Sequence, residues 1–483
     1  MKLVRDLAIL PLVMACGAGV SAAADAVPTF AKDVAPILYA KCVSCHRPGE
    51  VAPMSLLKYT DARPWAKAMR GKVMSREMPP WGADRKYGAF RNDISLTEKE
   101  IDTLSAWALG GAPKGEDSDL PPAPAMSSGW TAAANAGGDP DYVIEMMKPF
   151  TIPAEGELPN LNFYTPIPFK EDRFSRLLEA RPGNRSLVHH YTVAVNDLPA
   201  GAKLDQGGEL IYADGTRQND QERKGGAGAA TGAVPTRRPA NFKQIVDYVP
   251  GRSAIPARSP EIGFRIPTGM YVNFGMHYQP SGRPETDQSK LGIWFNTNRD
   301  VQELYRESVG TALPTVADRT EFYRVEGKTE LFDRRKMRGR HEDNWPAVPP
   351  FADSYTVVGA TAIAEPITLL GFTPHMHLRG KDMKWVLTLP DGQEETLLNI
   401  PKYDFNWQTY YELAQPRKIP AGSTITNVAH YDNTSKNRYN PAPDKEVYWS
   451  EQSWDEMFLP YITYTIDSET PRKVATQPSG QQR

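Results

Sequence analysis

A small all-α domain followed by two all-β antiparallel sandwich domains is the architecture the sequence predicts. Three observations carry it. Helix-capping and helix-period signals flank a cluster of two cysteines and a histidine near the N-terminus. From Tyr142 onward, short apolar runs alternate with turn residues. The chain also holds 43 Pro and 37 Gly in 483 residues, which favours many turns and short strands over long helices.

Such a length accommodates about three domains at the usual 100–200 residues each. A composition of 40% hydrophobic and 24% charged residues is that of a globular protein able to bury cores. The formal charge of −2 gives no electrostatic reason to expect nucleic acid or an anionic membrane as partner. The expected layout is a signal peptide at 1–24, a helical domain at 28–115 and a linker at 116–141. The first sandwich is expected at 142–315, the second at 316–470 and a tail at 471–483.

The signal peptide is read from three parts. Lys2 and Arg5 form a basic region, Leu7 to Val20 is apolar but short for a membrane span, and Ala22-Ala23-Ala24 offers a cleavage site. The mature protein is therefore expected in a periplasm or secreted. A second reading takes Val13-Met14-Ala15-Cys16 as a lipoprotein site with Cys16 acylated, which Met14 fits poorly. No later segment reads as membrane-spanning.

Of the three cysteines, Cys16 leaves with the signal, so Cys42 and Cys45 remain. Cys42-Val43-Ser44-Cys45-His46 is Cys-x-x-Cys-His, the attachment signature of c-type haem. The thiols add to the haem vinyls and His46 is placed to bind iron. The rival is a redox-active Cys-x-x-Cys, which the adjoining histidine and the export signal disfavour. Thr29 to Ala40 is expected to form a helix before the motif. Ser95 and Glu98 have capping-box spacing, ahead of the helical period Ile101, Leu104 and Trp107 or Ala108, and Gly110-Gly111 ends it. This arrangement resembles a class I cytochrome c domain. In that family a Met-Pro segment supplies the sixth ligand, which Met78-Pro79 matches. Met54 is the competing ligand, and Met69 and Met74 read as packing residues. His/Met ligation suits electron transfer.

Glu116 to Asp141 has little periodicity and reads as a linker. Strands are expected at Val188 to Val195, Gly269 to His277, Leu291 to Phe295, Ser354 to Ile363, Thr368 to Phe372 and Thr424 to Tyr431. A boundary between sandwiches is placed near Gly310 to Arg319. The polar run Leu204 to Asn241 is too long for an ordinary connection and reads as an insertion, a candidate cover for a site.

Histidines mark the candidate metal ligands. In a strand, residues two apart share a face, so His375 and His377 of Pro374-His375-Met376-His377 can present two imidazoles together. His189 and His190 are adjacent, so both can reach one metal only if the strand bends, for instance at a bulge. Otherwise one is buried and one exposed. His277, in Met276-His277-Tyr278, can complete a set with them. Met457 offers a soft thioether, a ligand type that favours reduced copper, although a lone methionine is usually core packing. His341 reads as surface and His430 as packing or support.

The order His-His, His-Tyr, His-x-His-Leu-x-Gly and Asp-Glu-Met resembles the type II copper monooxygenases. These include the peptidylglycine α-hydroxylating and dopamine β-monooxygenases. The likeness spans about residues 140–470 and is densest from Thr368 to Tyr464, with Pro390-Asp391-Gly392, Tyr403 to Gln408 and Tyr431 to Thr434. It implies two jelly-roll-like domains with one copper site in each and solvent between. One copper falls to His189, His190 and His277, and relays electrons. The catalytic copper falls to His375, His377 and Met457, and meets O2 beside the substrate C–H bond. Thr373 stands where the peptidylglycine enzyme has a carboxylate-anchoring arginine. Tyr461 matches one of its tyrosines, and Leu459 replaces its asparagine. A glycine-extended peptide is therefore a poor substrate candidate.

The expected function is hydroxylation of a small organic substrate with O2, using two copper ions and one covalently attached haem c that an external donor reduces. A non-catalytic haem and copper electron carrier or copper-binding protein is the alternative. A purely structural module, with no stoichiometric copper, is a third reading. Phe372, Trp385, Trp407 and Tyr461 are aromatic candidates for an apolar substrate site, and core packing explains them equally.

Overall fold

Helix signals at both ends of the N-terminal stretch produce a small helical unit. The computed structural model describes residues 27–474 apart from 49, 51, 125–128, 157, 221–242, 250–253, 299, 310–321, 326–331, 334–346 and 450–452. The expected signal segment with Cys16, the boundary stretch at 310–319, most of the 204–241 insertion and His341 lie outside the described residues.

In the helical unit, Phe30–Val34 forms a helical turn that runs into helix Ala35–Lys41, whose first turn contains Pro36. Helices Ala66–Met74 and Glu98–Leu109 follow. Phe30, Leu38, Ile101, Leu104 and Trp107 close one apolar core, and the Trp107 indole donates to the Pro113 carbonyl at 3.0 Å. The capping box lies two residues later than the sequence spacing placed it. Thr97 Oγ1 accepts from the Glu100 amide at 3.2 Å, and the Glu100 carboxylate accepts from the Thr97 amide at 2.7 Å. Ser95 instead accepts from Arg85, because Thr97 is the residue with extended backbone before the first helical turn. Gly110 caps the helix and Gly111 takes a positive φ of 86°, as the Gly-Gly pair implied.

The 116–141 stretch is partly anchored. Trp130 packs edge-on against Trp294 at 6.0 Å, and the Thr131 and Ala132 amides donate to Glu179.

The first sandwich pairs a seven-stranded sheet with a four-stranded one. The larger sheet runs Tyr142–Glu145, Lys290–Phe295, Arg173–Arg181, Ile262–Ile266, Asp300–Glu303 and Arg472–Lys473, with Ala254–Pro256 beside Arg173–Arg181. The smaller runs Leu161–Pro166, Tyr271–Tyr278, Val188–Asn196 and Lys243–Tyr248. Inward residues of both sheets, including Leu178, Val193, Phe264, Phe274 and Ile293, form its core. The start of the insertion is folded here. Lys203–Leu204 pairs with Leu210–Ile211, and buried Asn219 accepts from the Asn162 amide.

The second sandwich packs a four-stranded sheet on a six-stranded one. The first runs Tyr305–Ser308, Tyr461–Ile466, Ile367–Thr373 and Tyr411–Ile419. The other is centred on Tyr355–Ala362, Thr424–Tyr431, Gly380–Thr388 and Glu394–Ile400. Trp385 and Phe372 face each other at 5.5 Å inside its core, which settles both as packing residues. Strand Tyr305–Ser308 already belongs to this sandwich, while Arg472–Lys473 returns to the first. The two sandwiches thus exchange strands at both ends.

They also share a core. A register shift between Leu369 and Gly371 makes Leu370 an extra residue opposite strand Tyr461–Ile466, while strand Tyr411–Ile419 bulges out residues 413–416 at the same point. The bulge turns Leu370 out of its own sandwich and into the core of the first, together with Tyr410. Arg306 pairs with Asp247 at 3.0 Å, and the Tyr461 hydroxyl donates to Gln244 at 2.8 Å across the same seam.

The helical unit is fixed to the second sandwich by segment 81–93. Its backbone adds to the edge of strand Tyr411–Ile419, with Arg91 donating to the Glu412 carbonyl at 2.8 Å and Ala414 to the Ala89 carbonyl at 2.7 Å. Trp81 packs edge-on against Tyr411 at 4.8 Å. The edge of the sheet is thereby covered. No described helix is long and apolar enough to cross a membrane.

Leu370 carries a prediction. Leu370→Ala removes an apolar side chain shared by two sandwiches and leaves a cavity at their seam, so it should cost roughly 2–5 kcal/mol. Chemical denaturation should show a lower midpoint for both sandwiches together.

Candidate metal centre

Two groups of histidines meet at the seam. The first arises in strand Val188–Asn196 and its partner Tyr271–Tyr278. His277 pairs with His190, but Tyr278 pairs with Val188, so His189 is an extra residue in the ladder. This bulge supplies the bend that adjacent histidines require to face the same way. The His189 and His190 Nδ1 atoms lie 3.1 Å apart, and the His277 ring sits 4.8 Å from that of His190. One nitrogen from each of the three rings falls within 4.8 Å of the others. That convergence suits a single ion with bonds of about 2 Å. Neither His189 nor His190 is fully exposed, so the buried-and-exposed alternative does not hold.

Burial keeps these rings neutral. It lowers His189, and pushes His277 down to about 4, with the His189 charge adding to the effect. His190 is driven well below the usual range, first by burial and then by the neighbouring histidines. Neutral imidazole is the form that binds metal.

The second group is built differently from its expectation. Strand Ile367–Thr373 ends before His375, and its last pair is Thr373 with Tyr461. Pro374 has no N–H for the ladder, so the chain leaves the sheet there. His375 and His377 therefore share a site through a loop, not through strand alternation, with rings 5.1 Å apart and nearly perpendicular. The loop is held by Glu456. Its buried carboxylate accepts from the His377 amide at 2.8 Å and the Arg379 amide at 2.6 Å. Burial pushes Glu456 up to about 8, against the pull of these donors and the Arg379 charge. Tyr403 bonds both the amide and the carbonyl of Met376, and the Leu459 amide donates to the His375 carbonyl at 3.0 Å.

Met457 reaches the same point. Its Sδ lies 3.3 Å from His375 Nε2. His375 Nδ1 is 2.5 Å from the Gln408 amide oxygen, and His377 Nδ1 is 3.2 Å from the Asp455 carbonyl. Both partners are acceptors, so each Nδ1 carries the proton and each Nε2 keeps its lone pair for a ligand. Two imidazoles and a thioether form a donor set that suits copper.

The two groups are neighbours. The His190 and His375 rings are 6.4 Å apart. The Phe405 ring lies 5.2 Å from His189 and 5.8 Å from His377. Ser453 Oγ sits 3.4 Å from His277 Nδ1, so the loop bearing Met457 touches both groups. The expected solvent layer between separate sites is not what the fold builds, because Leu370, Tyr410 and Phe405 draw the sandwiches together.

Glu456, Gln408, Phe405 and Arg379 were not singled out in the sequence. Glu456 lies inside the Asp-Glu-Met motif, and Phe405 and Gln408 inside the run Tyr403 to Gln408, but neither pattern assigns them a role; Arg379 has only its place two residues after His377. His430 is not part of the centre; it pairs with Asp382 at 2.6 Å. Tyr461 lies at the seam under the Arg306 guanidinium at 4.1 Å.

The cysteine motif continues its helix as a turn. Cys42, Cys45 and His46 amides donate to carbonyls of Leu38 and Cys42, and neither thiol is in a disulfide. Burial raises both thiols, Cys42 to about 12. Met78 lines a cavity of about 260 Å³ with Val73, Leu96 and Ile101. Met54 and Met69 pack on the helical core, whereas Met74 is 53% exposed and does not pack as expected.

Residues 346–481 match the family model described as the C-terminal domain of copper type II ascorbate-dependent monooxygenases. The matched stretch contains His375, His377 and Met457. No curated protein matches the chain in sequence. Among solved structures, an aminopeptidase from the marine sediment archaeon Thaumarchaeota archaeon is 13% identical over 38% of this chain, with a TM-score of 0.11. The chain spans 34% of that aminopeptidase. An allantoicase is 9% identical over 59% of this chain and 80% of its own, with a TM-score of 0.16. A Paenibacillus xanthan lyase is 12% identical over 74% of this chain and 27% of its own, with a TM-score of 0.14. Likenesses this weak carry no argument about fold or activity.

Glu456→Ala should leave the His377 and Arg379 amides buried without their acceptor, at about 1–3 kcal/mol for each. Urea unfolding of the metal-free protein should show the loss. Copper titration should then show weakened binding at His375 and His377, with the His189 group unaffected.

Proposed function

We propose that the chain is an exported copper-dependent monooxygenase that hydroxylates a C–H bond of a small organic substrate, with electrons entering through a fused c-type haem. The observation that carries this reading is the meeting of two donor sets, three imidazoles on one sandwich and two imidazoles with a thioether on the other. The family match over residues 346–481 supports copper and oxygen chemistry at the second set. The Cys42-to-His46 turn, and the helical core on which Cys42 packs, support a cytochrome c domain at 28–115. The basic and apolar pattern of Lys2 to Ala24 supports export.

The residues divide the work. His189, His190 and His277 would hold one copper through nitrogens that burial keeps unprotonated. His375, His377 and Met457 would hold the other, with Gln408 and the Asp455 carbonyl fixing which ring nitrogen is free to bind. The thioether biases this set toward reduced metal. Cys42 and Cys45 would anchor the haem, with His46 and Met78 as its axial ligands. Once bound, the metals and haem supply two electrons and the O2 activation by which one oxygen atom enters the substrate and the other leaves as water. Phe405 lies against His189 and His377 and places an apolar ring between the sets.

Metal analysis with haem quantitation tests the assignment. One covalent haem and two coppers per chain are expected, and zinc or no metal at the histidines would contradict it. His377→Ala should retain the haem and lose substrate-dependent oxygen uptake. Oxygen uptake that persists in this variant would refute catalysis at this set. Copper bound without any uptake in the wild type would favour an electron carrier instead.

Met78→Ala removes a ligand that raises the haem potential. The variant should take electrons from a protein donor poorly and turn over slowly with it. Turnover at the full wild-type rate with that donor would break the proposed coupling.

A further inference from the structure

The cysteine turn is fixed to the first sandwich by one carboxylate. Arg47 follows His46 directly and lies 3.0 Å from Glu50 Oε1. The other oxygen of Glu50 pairs with Arg185. Arg185 sits in the turn that leads into strand Val188–Asn196, four residues before His189. That turn is rigid: the Asn184 amide donates to Asp287 at 2.7 Å, and the Asn184 side chain accepts from the Ser186 amide at 3.1 Å. Arg181 lies near the same cluster: burial and Arg185 lower its guanidinium, and Glu179 and then Glu50 oppose them. The side chains of Arg47, Glu50 and Arg185 are 8%, 12% and 21% exposed, so these charges are largely removed from water.

The same contact brings chemistry together. Arg185 and Glu50 both act on the Cys45 thiol, and all three act on the hydroxyl of buried Tyr248. Tyr248 stacks on Tyr191 at 5.8 Å, and Tyr191 follows His190 in the chain. The haem-attachment turn therefore abuts the strand that carries the first histidine group. A surface ion pair at the end of long side chains adds little. A paired and largely buried carboxylate differs, because removing it leaves like charges facing each other.

We propose that Glu50 is a positioning residue that docks the Cys42–His46 turn onto the strand bearing His189 and His190, making this contact the intramolecular entry for electrons. The proposal rests on the reading that Cys42 and Cys45 hold haem and that the first histidine group holds copper. The step is a one-electron exchange: ferrous haem becomes ferric as cupric ion becomes cuprous, with no proton or atom transferred. Segment 81–93 still ties the helical unit to the second sandwich, so loss of Glu50 misaligns the turn without releasing the unit.

The test uses the full chain loaded with haem and copper, comparing wild type with Glu50→Gln, Arg185→Gln and the double variant. Three quantities are read: anaerobic reoxidation of haem after a one-electron photoreduction pulse that leaves the histidine-bound copper cupric, hydrogen exchange over 42–48 and 184–190, and ascorbate-driven turnover. Each single variant should keep wild-type haem and copper content, exchange faster in both segments and reoxidise roughly tenfold more slowly, the scale on which supporting partners of a metal site act. The double variant should be no slower than either single one, since both remove the same contact. Ascorbate-driven turnover, which bypasses the haem, should stay at the wild-type rate. Wild-type reoxidation in haem-loaded Glu50→Gln, or unchanged exchange in both segments, overturns the role of Glu50 alone. A wild-type chain with no covalent haem overturns the haem reading, and the entry role with it.

Discussion

A buried carboxylate holds the second donor set together. Glu456 precedes Met457 in the chain, yet its oxygens bind the amides of His377 and Arg379 from a distant loop. A carboxylate with no access to water is costly unless donors surround it. Here the donors are backbone amides that would themselves be orphaned, so each side satisfies the other. The result ties the histidine loop to the methionine loop before any metal arrives. Arg379 extends the tie, since its guanidinium donates to Asn433 and to the Trp454 carbonyl.

Two β-bulges then decide where that site lies. One, at His189, turns two adjacent histidines toward His277. The other, at Leu370, sends a side chain across the seam into the opposite core. Each adds a single residue to a ladder, and each redirects a side chain that regular alternation would have aimed elsewhere. Together they place the first histidine group beside the second. The helical unit spans the outside of this assembly, touching the first sandwich through Glu50 and the second through segment 81–93.

Much of this was legible in the chain. Short apolar runs located the strands closely; Thr424–Tyr431 matches its expected range, and Val188–Asn196 begins where expected. Burial on one face imposes alternation, and alternation survives in sequence. The candidate ligands were also legible, because histidine and methionine are few and their order carries information. The capping box was harder to place, since Ser95 and Thr97 both precede a glutamate by three residues and only backbone geometry separates them. The supporting residues were not legible. Glu456, Gln408 and Phe405 are ordinary residue types, and their importance comes from partners far away in the chain.

The sequence by itself determined the β class of the two sandwiches, the cysteine motif and the inventory of candidate metal-ligating side chains, because periodicity, turn chemistry and ligand type are local properties. Only the tertiary structure decided that His-x-His acts from a loop, that His189 is a bulge, and that the two donor sets are neighbours. Those outcomes depend on where Pro374 ends a ladder, where an extra residue enters one, and which distant carboxylate satisfies which amide. Each is a contact between segments far apart along the chain, and no local pattern records it.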